Sequence, residues 1–187
     1  AWKIGLYMLP INKTILEENN ALRPKASTYI DFLEKEGNVD DNPPMKALLK
    51  DLNTACLNTK NWVKAKSLEH LNDGKLVGIL GGDHSSPLGF LEALSEKHDD
   101  FGILQIDAHA DLRIAYEGFT YSHASIMYNA LQLPQISRLV SVGVRDACEA
   151  EIQMAAHSNG RIVPFYDHTI QQSLLSGEKT WKQYCET

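Results

Sequence analysis

Phe101-Gly102-Ile103-Leu104-Gln105-Ile106-Asp107-Ala108-His109-Ala110-Asp111 is an apolar run that ends abruptly in three evenly spaced polar residues. A short apolar stretch bounded by turn residues reads as a buried strand of a parallel sheet, so the polar residues fall at the strand's carboxyl end. A second stretch has the same grammar: Leu76-Val77-Gly78-Ile79-Leu80 runs into Gly81-Gly82-Asp83-His84-Ser85. Open α/β sheets bind ligands in the crevice beyond the carboxyl ends of neighbouring strands, so both motifs are predicted to face one site.

Outward from these segments the chain alternates. Ser86-Pro87 suits an N-cap and first turn of a helix through Phe90, Leu91 and Leu94. Ser122 to Leu131 reads as a helix, Arg138 to Val144 as a strand, Ala147 to His157 as a helix, and Arg161 to Phe165 as a short strand. Such alternation predicts a three-layer α/β/α fold, a parallel sheet with helices on both faces. Residues 1–74 read instead as mostly helical: Ala26 to Glu36 closed by Gly37, a stretch opened by Asn42-Pro43-Pro44, and a third from Asn61 to Leu71. We expect a single domain over residues 1–187, with residues 75–187 forming the α/β core. The chain starts on Ala1 rather than Met and stops at Cys185-Glu186-Thr187, which predicts a fold truncated on its C-terminal side.

Composition narrows the function. With 43% hydrophobic and 22% charged residues in 187, the chain can bury a real core and is not disordered. A net charge of −6 and the lack of any basic run argue against a nucleic-acid partner and suit a cationic substrate. No apolar stretch is long enough to span a membrane and no signal peptide opens the chain, so a cytoplasmic protein is expected. Cys56, Cys148 and Cys185 lack CxxC spacing and read as reduced thiols packed as small core residues.

In Asp107-Ala108-His109-Ala110-Asp111 the polar residues stand at i, i+2 and i+4, so extended backbone would project all three to one face. Two carboxylates and an imidazole converging without a cation would repel and be poorly solvated, and a divalent metal inverts that balance. His84 adds an imidazole from the adjoining strand, and Gly81-Gly82 permits a sharp turn there. Carboxylate and imidazole donors without thiolate favour Mn²⁺, with Fe²⁺, Co²⁺ or Zn²⁺ as substitutes. His70, His98, His157 and His168 lack partner ligands in sequence and read as surface residues. Asp83 reads either as support for a ligand or as a helix cap.

These residues resemble the ureohydrolases, the arginase and agmatinase family, whose hallmarks are Gly-Gly-Asp-His-Ser and Asp-Ala-His-x-Asp at neighbouring strand ends. The likeness extends through Tyr121-Ser122-His123-Ala124-Ser125 and Val142-Gly143-Val144-Arg145-Asp146, and covers about Leu76 to Asp146. It implies that His84 and Asp111 hold one Mn²⁺, that His109 holds another, that Asp107 bridges them, and that His123 relays protons without being a ligand. It also implies hydrolysis of a small cationic guanidino compound to urea and an amine, in a homo-oligomer, trimer or hexamer. A metal pair supplies a nucleophile by acidifying water, and a histidine suits proton delivery to the departing amine.

The resemblance has departures. The family completes its metal pair with a later Asp-x-Asp segment, which occurs nowhere in this chain. As it stands, the chain should therefore bind metal weakly and turn over nothing. Arginases carry Ser-Gly-Asn-Leu-His-Gly where this chain has Phe119-Thr120-Tyr121-Ser122-His123-Ala124, so the grip on an amino-acid carboxylate is missing. Agmatine is favoured over arginine, with guanidinobutyrate and formiminoglutamate as alternatives. Rival readings are a non-catalytic relative and a deacetylase-type hydrolase with a single Zn²⁺, against which His84 argues as an additional ligand.

Overall fold

The computed structural model describes residues 5–186. The chain divides into two compact units between Thr59 and Lys60. Helix α1, Lys13–Glu34, is capped by Asn12, whose side chain accepts from the Ile15 N–H at 3.2 Å. It starts well before the predicted Ala26 and runs through Pro24, the residue whose missing N–H weakens the helical signal there. Helix α2, Pro43–Asn72, merges the two predicted stretches. Residues 53–60, between them, hold neither Gly nor Pro, so nothing interrupts propagation. Its C-terminus closes at Gly74, at φ 72°, with Gly74 N–H donating to Leu71 O and Lys75 N–H to His70 O. This is a Schellman arrangement, which needs the left-handed conformation that glycine adopts without strain.

In the second unit the sheet is parallel, with β1 (Phe101–Ile106), β2 (Ile136–Val144) and β3 (Ile162–Tyr166) side by side in chain order. Helices α3 (Leu88–Ser95), α4 (Ile126–Ala130), α5 (Glu149–Ala156), α6 (Asp167–Ser176) and α7 (Trp181–Cys185) complete the described elements. Ile103, Leu139 and Ile162 come from one face of the sheet and pack in a single cluster with Leu88, Ile126, Met127, Ala130 and Met154 from α3, α4 and α5. Helix α6 contacts β2 and β3. Helix α3 approaches α2 so closely that a Cβ on Gly89 would lie 2.2 Å from the Lys60 carbonyl oxygen. Ion pairs from Lys60 to Glu92 at 2.5 Å and Lys64 to Glu96 at 2.7 Å flank that contact. The α/β class with a parallel sheet is as predicted.

Several expectations need correction. Residues 76–80 form no strand, and Leu76 and Leu80 are exposed. A strand exists only where its backbone groups find a ladder partner, and an apolar run cannot announce whether one is available. Among the described residues β1 lies at one edge of the sheet and alternates rather than being buried throughout, with Leu104 67% and Ile106 81% exposed. Ser86 does not cap α3, because its hydroxyl donates to Asp83 O at 2.6 Å. Cys56 and Cys185 are exposed and Cys148 half-buried, so none is a core residue. His70 is no surface residue, since both its ring nitrogens are buried. Among the described residues no helix is long and apolar enough to cross a membrane.

Candidate metal centre

Beyond residue 80 the chain turns tightly. Asp83 Oδ1 accepts from the Ser85 N–H at 2.8 Å, and the Ser86 N–H donates to Asp83 O at 3.1 Å. A Cβ on Gly81 would sit 2.7 Å from Ser86 Oγ, so a side chain here would have to displace the Ser86 side chain that closes the turn. The turn presents His84.

Beyond β1 the backbone continues to pair with the end of β2. Asp107 N–H donates to Val142 O, Arg145 and Asp146 N–H both donate to Ala108 O, and Ala110 N–H donates to Asp146 O. The predicted extended run does not persist, however. Asp107 Oδ1 folds back to accept from the His109 N–H at 3.0 Å, and Asp111 adopts the left-handed region at φ 55°. The three side chains therefore do not share one direction.

Asp111 Oδ2 lies 2.6 Å from His84 Nδ1, and Asp107 Oδ2 lies 3.1 Å from the same nitrogen. One donor atom from each of these residues falls within 4.8 Å of the others, close enough to share a single ion. His109 stands outside this set, 60% exposed, with Nδ1 3.4 Å from the other Asp107 oxygen and Nε2 3.9 Å from Asp146 Oδ2. Asp107 thus faces both histidines. His123, in a 3₁₀ turn His123–Ser125, has Nδ1 3.9 Å from Asp83 Oδ2 and its ring 6.0 Å from that of Tyr116. Asp83 caps its own turn rather than a helix.

The electrostatics match the donor chemistry. The hydrogen bond to Asp111 raises the His84 pKa above the ordinary value of 6.5; partial burial opposes the shift, and the charges of Asp111, Asp107 and Asp83 add to it. Among the described residues neither Asp107 nor Asp111 pairs with a lysine or arginine. Positive charge at this spot comes from the imidazolium or from a bound cation, and two carboxylates with an imidazole fit a divalent ion.

The Arginase family model matches residues 14–176. The chain belongs to the arginase family. The match reaches back through the helical part, well before the motifs that carry the sequence resemblance. An N(1)-aminopropylagmatine ureohydrolase of Thermus thermophilus is 37% identical over 102 residues, 54% of this chain and 34% of that protein. An agmatinase of Bacillus subtilis is 32% identical over 95 residues, 51% of this chain and 33% of the relative. The chain therefore matches about a third of the length of these curated relatives. Among solved structures, an agmatine ureohydrolase of Thermoplasma volcanium aligns with TM-score 0.50 and 30% identity over 60% of this chain and 37% of its own. An arginase of Bacillus subtilis aligns with TM-score 0.55 at 23% identity over 64% of this chain and 46% of its own, a likeness of fold.

Sequence reasoning missed three residues that brace this candidate site. Gln105, buried in β1, donates from Nε2 to His109 O at 3.1 Å and accepts at Oε1 from Ser141 Oγ at 2.7 Å. Both polar residues stand in apolar strands and are register partners, which was a readable signal. Glu151 reaches from α5 to the loop of Asp111, and only its place three residues after Cys148, where a carboxylate can bond the cap N–H, hinted at a buried role.

Proposed function

We propose that this protein contributes the metal-binding half of a binuclear Mn²⁺ site that hydrolyses a small guanidino amine, agmatine, to putrescine and urea. The observation that carries this reading is the convergence of His84 Nδ1 with Asp107 Oδ2 and Asp111 Oδ2 in an arginase-family chain. His84 and Asp111 would hold one ion, His109 the other, and Asp107, with an oxygen toward each histidine, would serve both. What the ions supply when bound is acidification of water to near neutrality.

The chain's own residues supply the rest. Asp83, Asp107, Asp111 and Asp146 surround the site with carboxylates, a field that draws in a guanidinium cation. His123 is exposed beside Asp83, where it can hand a proton to the departing amine. The substrate reading rests on the missing carboxylate grip at Phe119 to Ala124 and on the names of the relatives, which make N(1)-aminopropylagmatine a second guanidino amine to test. We place the working protein in the cytoplasm as a trimer or hexamer.

Urea release with Mn²⁺ tests the reading, in a protein that carries this chain together with the Asp-x-Asp segment it lacks. Turnover of agmatine or N(1)-aminopropylagmatine with none of arginine supports it. The reverse preference, or no urea from any guanidino compound, overturns it.

A further inference from the structure

Asp111 is the residue at the centre whose backbone is least comfortable. Its left-handed φ of 55° costs a side-chain-bearing residue about 1 kcal/mol or more, and such a conformation persists only where its surroundings impose it. The peptide group that follows it is held at both its carbonyl and its N–H. Asp111 O accepts from the N–H groups of Met127 at 3.0 Å and Tyr128 at 3.3 Å, in α4. The Leu112 N–H donates to Glu151 Oε1 at 2.9 Å, and the other carboxylate oxygen accepts from the Cys148 N–H at 2.8 Å. Glu151 is 5% exposed, and Arg113 Nε lies 3.8 Å from it.

We propose that Glu151 is a positioning residue for the metal centre: its buried carboxylate holds the Asp111–Leu112 peptide in the orientation that aims Asp111 at His84. An isolated buried carboxylate is costly, and this one is held by two backbone donors and a nearby guanidinium, which is how a buried charge persists. Freed of that anchor, the Asp111 backbone relaxes toward negative φ and its carboxylate leaves the His84 nitrogen. The inference rests on the reading of Asp111 as a ligand, and it adds a residue that touches neither metal nor substrate.

Glu151→Gln tests it, because an amide offers a single acceptor oxygen and turns its NH₂ toward one of the two backbone donors. Glu149→Gln is the control: it removes the same charge from the same first turn of α5, at an exposed residue. Two quantities are read, the Mn²⁺ dissociation constant by calorimetric titration of the folded protein and hydrogen exchange of the Leu112 amide in metal-free protein. We expect Glu151→Gln to weaken Mn²⁺ binding about tenfold or more and to unprotect Leu112, with Glu149→Gln unchanged in both. Unchanged Mn²⁺ affinity in folded Glu151→Gln overturns the proposal, as does a Leu112 amide that already exchanges freely in the unaltered protein. Failure of the unaltered protein to bind Mn²⁺ overturns the ligand reading itself. The two failures are distinguishable because Leu112 protection is read without metal.

Discussion

His84 Nδ1 and Asp111 Oδ2 meet at 2.6 Å across 27 residues of sequence, joining the turn before α3 to the loop after β1. That contact has two consequences. It sets the pH behaviour of the metal-free protein, and it puts two of the ion's donors in place before the ion arrives.

The first consequence has a definite sign. The His84 pKa is raised in the folded protein, so the folded state binds the proton more tightly than the unfolded chain. The stabilisation is complete below the ordinary histidine value and is lost as pH rises through the raised one. In EDTA, the Tm measured from about pH 5.5 to 8.5 should fall over the upper part of that range, and His84→Ala should flatten that part of the profile. A His84→Ala profile parallel to the unaltered one would contradict the contact's role.

Division of labour between the histidines is tested by stoichiometry. In a protein that binds a pair of Mn²⁺ ions, His109→Ala should leave a single ion, whereas Asp107→Asn should weaken both. Elemental analysis after desalting reads the number. Loss of both ions in His109→Ala and of one in Asp107→Asn would reverse the assignment of Asp107 as the shared ligand.

Gln105→Leu leaves the Ser141 hydroxyl and the His109 carbonyl without their partner. Burial of such unsatisfied groups costs about 1–3 kcal/mol, which urea unfolding should report as a lowered midpoint. Weaker metal binding should accompany it, since the His109 backbone loses its tie to β1. An unchanged midpoint would mean that the buried pair contributes nothing.

At Gly89 the test is steric. Its substitution by alanine drives a Cβ to 2.2 Å from Lys60 O and 2.8 Å from Lys64 N, both backbone atoms that cannot swing aside. Forced separation of α3 from α2 should destabilise the protein by about 1–3 kcal/mol. A crystal structure of Gly89→Ala with the helices unmoved would refute the close approach.

How far the sequence could be read follows from what each signal encodes. β1, β2 and β3 were legible because apolar runs bounded by turn residues specify strands wherever partners exist. Residues 76–80 carry the same signal and form none, since pairing belongs to the fold and not to the segment. His84, Asp107 and Asp111 were legible as a set because like charges gathered at strand ends demand an explanation. Their directions were not: the Asp107 side chain turns back on the His109 N–H, and Asp111 enters the left-handed region, both local hydrogen-bond choices invisible to a count of i, i+2, i+4. The cap position of Glu151 was readable but its tie to the Asp111 loop was not, since its partner Leu112 lies 39 residues away.

The account stands on a cation shared by His84, Asp107 and Asp111. Crystals soaked in Mn²⁺ and measured at the manganese absorption edge test it most directly. An anomalous peak among His84 Nδ1, Asp107 Oδ2 and Asp111 Oδ2 is the result predicted; a map with no peak there, or with manganese bound only elsewhere on the surface, would contradict it.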